Sequence, residues 1–498
     1  MLGITSRLLL IATLAAGVAA APSVREAEWV YWITNPVKPD DGAARGASLQ
    51  PCSVEVGRMP YEGYTVELHR APYASACVGS VKGVHANELR RGPGEVVLFL
   101  SETMERATGE MDWSARLGSA MSSAPSAAAG QVAFQLAAPR STILAATHDV
   151  FAVALDEAGL ATADRWATFD TRLHRVDFRP TNTLQLNEEG RPEPVFGKPK
   201  HNALVSKIAS SSALNPARIV KDLRILTGED AQPAEVGEWH SRHSSTYGAR
   251  RAAQWIKQQL ESSLAPLNAS CDYFNYSAYF SPNVVCDIRA PSSQGEEEGE
   301  MVLISAHYDS RGTFGSTTAP GGDDDGSGTA ALLAIARAVG QAAVSFDSPV
   351  RLVAFSGEEQ GLVGSQMYAK HLRDTNVKVK FALQMDMLAY RKPGELMQIA
   401  FPDKLATKSA TQFVWRIADI YAPELEQGYT PACCSDHQSF WEAGYPATWV
   451  FERNGPIADP MYHNSGDTTD REGYDVNQLA AIAKVVTASL LHLAGFNL

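Results

Sequence analysis

Five short stretches of this sequence carry side chains suited to holding a metal ion or moving a proton. They are His307-Tyr308-Asp309-Ser310, the acidic run Asp323-Asp324-Asp325 ahead of Gly326-Ser327-Gly328, the pair Glu358-Glu359, the single Asp386, and Tyr462-His463. Each has an ordinary explanation when taken alone. A histidine after a strand is commonly a satisfied polar group, glutamates suit a helix start, and an Asp run among glycines is a turn or a calcium loop. Together they are a ligand set suited to zinc, and two histidines with several carboxylates suffice for two ions. The spacing adds to the chemistry. His307 and Asp309 lie two apart, so in an extended segment they leave on one face and Asp309 can orient the imidazole. Adjacent Glu358 and Glu359 point apart, which lets one bind metal while its neighbour stays free as a base. A water held between two ions, with an unbound carboxylate beside it, is the apparatus of metal-assisted hydrolysis.

The elements around these residues bring them to one place. From about residue 206, strands and helices alternate: strands over 301–306, 349–355, 377–385 and 447–451, helices over 327–341, 361–372, 408–421 and 476–493. Two amphipathic helices, over 215–226 and 248–260, precede them. Such alternation predicts an α/β domain with a largely parallel sheet. In such sheets ligands gather beyond the carboxyl ends of the strands, where His307, Glu358, Glu359 and Asp386 fall. Before residue 205 the texture differs. Short apolar runs at 96–100 and 150–155 are broken by Gly, Pro and Ser, with an Ala/Ser-rich excursion over 119–130. This region reads as a smaller, partly β domain that folds independently, joined by a linker over 182–201.

At 498 residues the chain is too long for one ordinary domain. Its formal net charge of −13 argues against nucleic acid and anionic membrane as partners, since both need clustered Lys and Arg. The amino end has the form of a secretory signal: Arg7, an apolar run over 8–18, then Ala19 and Ala20 as cleavage sites ahead of Pro22. The run is too short to span a bilayer comfortably, and no other segment is expected to reach a spanning length. The expected divisions are a signal peptide at 1–20, a pro- or accessory domain at 21–205 and the metal-bearing domain at 206–498. A secreted or periplasmic location permits disulfides, and six cysteines suggest three. Nearest-neighbour pairing would join Cys52 to Cys77 and Cys271 to Cys286, and Cys433 and Cys434 are adjacent.

The blocks HYDS, GGDDDGSG, FSGEEQGLVGS, MDM, CSDH and YHNSGDT, in this order, resemble the secreted leucyl-type zinc aminopeptidases of peptidase clan MH. The resemblance runs from about residue 206 to the carboxyl end. It implies a three-layer α/β sandwich on a central mixed, largely parallel sheet of the phosphorylase/hydrolase-like kind. It implies two Zn2+ per chain, with His307 and Asp386 on one ion, Glu359 and His463 on the other, and Asp324 bridging them. Glu358 then matches the general base, Asp309 the acid behind the ligand histidine, and Tyr462 a tyrosine that stabilises the tetrahedral intermediate in some members. Asp436 and His437 match structural supports. The implied substrates are peptides with a free amino end and an apolar, leucine-like first residue. Carboxypeptidase, dipeptidase and glutaminyl cyclase activities, or a non-catalytic ectodomain, are the other readings on this fold. The chain departs from the pattern in its adjacent cysteines, and residues 23–205 carry no motif of the family. That region is either an intramolecular pro-domain or a permanent accessory.

Overall fold

A computed structural model of the chain describes residues 152–167, 171–176, 193–290, 299–313, 316–432 and 434–498, together with the backbone of strands between residues 29 and 151. The leader, the 119–130 excursion, Cys52, Cys77 and Cys433 lie outside the described residues.

The amino-terminal strands form two antiparallel sheets. Strands β1 (Trp29–Ile33), β2 (Val54–Tyr61), β3 (Tyr64–Pro72) and β4 (Asn87–Glu88) pair in the order β2-β3-β1-β4. Strands β5 (Glu95–Ser101), β6 (Ser141–Ala146), β7 (Val150–Leu155) and β8 (Thr171–Val176) pair as β6-β7-β5-β8. Both apolar runs anticipated here are strands. A one-turn helix, α1 (Glu157–Leu160), follows β7 and is capped by the Asp156 carboxylate, which accepts from Gly159 N. Val153, Leu155, Leu160 and Leu173 pack in one cluster with Phe280 and Val363 from far downstream. A shared core therefore crosses the expected boundary near residue 205.

The rest is a three-layer α/β sandwich. Helices α2 (Ala203–Ala209), α3 (Pro216–Thr227) and α4 (Tyr247–Leu264) lead into strands β9 (Ser270–Phe274), β10 (Asn283–Ile288) and β11 (Met301–His307). There follow α5 (Gly326–Gln341), β12 (Ser345–Phe346), β13 (Val350–Phe355), α6 (Val363–Asp374) and β14 (Val379–Met385). The chain ends with β15 (Gln398–Pro402), α7 (Lys408–Tyr421), β16 (Glu426–Thr430), α8 (His437–Glu442), β17 (Ala447–Val450), α9 (Val476–Ala494) and β18 (Phe496–Asn497). The central sheet runs β17-β14-β11-β13-β10-β9. Its first three pairings are parallel and the last two antiparallel.

Strand β11 is buried along its whole length, as a central strand covered by helices on both faces must be. Helix α3 starts on the Asn215 cap with Pro216 in its first turn and stops at Gly228, whose φ of 79° only glycine adopts freely. Helix α5 crosses α4 so closely that a Cβ on Gly340 would stand 1.9 Å from the Ser263 carbonyl oxygen. Contrary to expectation, α9 is long and apolar enough to cross a membrane. Most of it (72%) is buried within the fold, so it serves as a core helix. The β9–β10 edge carries the expected Cys271–Cys286 disulfide, between residues directly opposite in register. The anticipated linker has no regular structure over 193–202, yet Phe196 is pinned against Phe381 and Phe413, ring centroids 5.0 and 5.8 Å away.

Candidate metal centre

His307 is the last residue of β11, Asp386 directly follows β14, and Asp324 lies in the loop that opens α5. The parallel pairing of β11 with β14 brings the first two side by side. His307 Nε2 stands 3.3 Å from Asp324 Oδ1 and 3.5 Å from Asp386 Oδ1. On the other side, His463 Nε2 stands 3.4 Å from Asp324 Oδ2 and 3.2 Å from Glu359 Oε2. All five side chains are buried. The structure thus gathers two trios, His307–Asp324–Asp386 and Asp324–Glu359–His463, whose ligand atoms lie within 4.8 Å of one another in each. Asp324 belongs to both and turns one oxygen to each imidazole.

The three consecutive aspartates have separate tasks. Asp325 accepts from Gly328 N, capping α5, and also from His307 N and Met387 N. It therefore clamps the ends of both ligand-bearing strands. Asp323 accepts from Ala389 N. The backbone N–H groups of Asp323 and Asp324 donate to the Asp467 carboxylate, which is itself held by Arg471. Only the middle carboxylate is turned toward the imidazoles. Buried Arg242 completes the frame, donating to the carbonyls of Tyr308, Leu226, Pro320 and Gly321. Nothing in its immediate sequence marks Arg242 as a support, because its partners are backbone carbonyls brought near only by the fold.

Asp309 sits behind His307, with its Oδ1 3.5 Å from His307 Nδ1. The same carboxylate faces the backbone N–H groups of Glu358 and Glu359 at 3.4 Å. The adjacent glutamates diverge as anticipated: Glu359 meets His463, while Glu358 belongs to neither trio and lines the crevice. Tyr462 stacks on the His463 ring with centroids 3.6 Å apart. His463 has a φ of 54°, the left-handed region that a non-glycine residue occupies only under local constraint. Asp436 accepts from Gln384, and His437 lies flat against Trp449 beneath the crevice floor.

The cluster is short of positive charge. Burial, with Asp324 adding to it, pushes Glu359 well above the ordinary carboxylate range, and burial with Asp386 and Asp436 does the same to Glu358. Asp436 is pushed up to about 7, mainly by burial. His307 Nε2 and Glu359 Oε1 are buried with no hydrogen-bond partner, so each has a lone coordinating position turned inward. Orphaned donor atoms amid surplus buried carboxylates fit divalent cations. Above the trios a narrow crevice encloses a cavity of ≈ 40 Å³, room for a few waters. Met387, Ala432, Trp449, Phe451 and Ile457 give it an apolar lining, and Arg172 and Leu173 of β8 line it as well.

A parallel-cored α/β sandwich with a shared imidazole–carboxylate cluster beyond its strand ends defines a metallopeptidase. The model of peptidase family M28 matches residues 283–490. Leucine aminopeptidase 1 of Ajellomyces dermatitidis is 30% identical over 273 residues, covering 51% of this chain and 68% of that protein. The enzyme of the same name from Sclerotinia sclerotiorum is 28% identical over 257 residues, 48% of this chain and 64% of its own length. Among solved structures, the LapA aminopeptidase of Legionella pneumophila superposes with a TM-score of 0.58 at 18% identity, over 81% of this chain and 99% of that one. The chain belongs to peptidase family M28.

Proposed function

We propose that the protein is a secreted aminopeptidase that holds two zinc ions and releases apolar, leucine-like residues from peptides with a free amino end. The observation that carries this reading is Asp324, whose two oxygens face one imidazole each, so that the two trios share a ligand. His307, Asp324 and Asp386 would hold one ion, and Asp324, Glu359 and His463 the other. Bound zinc supplies Lewis acidity that polarises the scissile carbonyl and makes the attacking water more acidic. Glu358 takes the proton from that water and returns it to the leaving amine. Asp309 fixes the glutamate pair through their backbone N–H groups and steadies the His307 ring. The Tyr462 hydroxyl donates to the oxyanion that forms on the carbonyl.

The apolar lining of Met387, Ala432, Trp449, Phe451 and Ile457 supports a preference for a leucine-like side chain. Two relatives named leucine aminopeptidase 1 agree with it, and the amino-terminal sequence pattern supports secretion. The test is a substrate panel of leucine anilide, its amino-blocked form and a carboxyl-end substrate, before and after exhaustive chelation. The reading expects cleavage of the free-amine substrate alone, abolished by chelation and restored by zinc. Cleavage at the carboxyl end, or full activity in a protein stripped of metal, would sink it.

A further inference from the structure

The adjacent glutamates stand on a turn of unusual backbone. Gly357, Gly361 and Leu362 have left-handed φ values of 78°, 104° and 62°. The turn's own bonds run from Gly361 N and Leu362 N to the Glu358 carbonyl, and from Val363 N to that of Gly357. Residues that precede the family-matched segment brace it further. Arg175 N, in β8, donates to the Gly361 carbonyl at 3.4 Å. The approach is so close that a Cβ on Gly361 would stand 2.8 Å from Arg175 N, which together with its φ reserves the position for glycine. Gln360, directly after the ligand Glu359, is fully buried. Its amide oxygen accepts from Ser244 Oγ, and its nitrogen rests 3.4 Å from His243 Nε2. That ring nitrogen meets both oxygens of Asp164 at 3.0 Å, while His243 Nδ1 meets Ser245 Oγ at 2.9 Å. Asp164 lies in a 3-10 turn, Ala163–Trp166, between β7 and β8. A continuous run of contacts thus leads from the second amino-terminal sheet, through Asp164, His243 and Gln360, to the glutamate pair.

Resting on the aminopeptidase reading, we infer that Asp164 is a positioning residue of the metal centre. The sheet that carries it is then a permanent part of the catalytic apparatus. Asp164 touches no reacting atom. Its carboxylate holds the His243 ring by Nε2, and the ring seats the Gln360 amide. Gln360 is next to Glu359 and two residues from Glu358, so its seat sets the direction in which both carboxylates leave the turn. A general base works only within hydrogen-bond reach of its water, and a misplacement on the order of 1 Å can cost about 10²-fold. These contacts serve the residues that the reaction uses, so their loss lowers turnover rather than releasing it.

The experiment uses the full, zinc-loaded chain with leucine anilide, and zinc content and melting temperature are measured on every variant. Asp164→Ala should lower kcat by about 10–10²-fold, with KM within about threefold and zinc content unchanged. Asp164→Asn, the milder change if the alanine variant fails to fold, keeps one acceptor for the ring and should lose less. Glu157→Ala is the control. It removes a contact with Ser277 that also joins the sheet to the α/β sandwich, away from the glutamate turn, and its kcat should match the unaltered protein's. Because Asp164 acts through Gln360, the losses of Asp164→Ala and Gln360→Ala should not multiply in the double variant. A contact that is merely structural would lower melting temperature and zinc content and leave kcat per bound zinc unmoved. That result, losses that multiply, or an equal loss in Glu157→Ala overturns the inference. A rise in kcat in Asp164→Ala also overturns it and makes the sheet an inhibitory cover. All of these leave the aminopeptidase reading standing. An unaltered, zinc-loaded protein that releases no leucine refutes that reading itself.

Discussion

Replacing the two adjacent glutamates separately tests the division of labour at the centre most sharply. Glu358 belongs to neither trio, so Glu358→Gln should leave zinc content near that of the unaltered protein. Its amide cannot accept a proton, and kcat should fall by about 10²–10⁴-fold, the usual loss with a general base. Glu359→Ala removes one of three ligands from the second trio and should lose an ion, with activity following the metal. The metal-free protein gives an independent check. Burial, helped by Asp386 and Asp436, raises the Glu358 carboxyl far above its unfolded value. An acid whose pKa rises on folding costs stability at every pH above its unfolded pKa of about 4.3. Glu358→Gln removes that cost, so the metal-free variant should melt no lower than the metal-free parent at pH 7, and higher if strain is relieved. Atomic absorption, steady-state kinetics and calorimetry on the three proteins read all of this out. Loss of zinc from Glu358→Gln with retention in Glu359→Ala would exchange the two roles and refute the reasoning.

Other expectations follow from named contacts. Asp325→Ala strands three buried N–H groups, of Gly328, His307 and Met387, and should cost about 3 kcal/mol or more in denaturant titrations. A loss under 1 kcal/mol would show that the clamp is dispensable. Opening the Cys271–Cys286 bridge by a double serine change should cost up to about 3 kcal/mol, given a sequence separation of 15. The docking of β8 should depend on pH. Burial is the largest single influence and opposes both charges of the Asp164–His243 pair. The partner's charge and hydrogen bond, with Asp309 and Glu359 acting on His243 and Arg311 on Asp164, together outweigh it, so His243 is raised and Asp164 lowered. The His243 contribution is therefore full below about pH 6.5 and is lost as pH climbs through its raised value. That of Asp164 is full above about pH 3.9 and is lost as pH falls through its lowered value. Hydrogen exchange in β8, corrected for intrinsic rates, should speed up on the alkaline side, and His243→Gln should flatten that response; an unchanged response in the variant counts against the latch.

The metal centre was more legible in the sequence than the frame that supports it. His307, Glu359 and Asp386 stand at or just beyond strand ends, and each strand is mostly apolar, so the alternation of strands and helices placed them on one rim. The limits of α7 coincide with the helical reading at 408–421. Less visible was the antiparallel pair β9–β10. Polar Ser270, Asp272 and Tyr273 face outward at the sheet edge and break the apolar signal, so only the paired cysteines hinted at it. Spacing could not separate the tasks of Asp323 and Asp325 either. Their acceptors' partners are N–H groups of Met387 and Ala389, brought near only by the β11–β14 pairing.

The packing of β8 also has a consequence in time. A chain emerging from the ribosome presents Leu173 and Thr171 well before Phe280, Val363 and Arg311 exist, the last of these 140 residues behind its partner Thr171. Synthesis from the amino end therefore exposes the sticky face of the second sheet during the long interval before its cover is made. Strand β8 is therefore made well before the residues that fasten it and cannot settle until they exist.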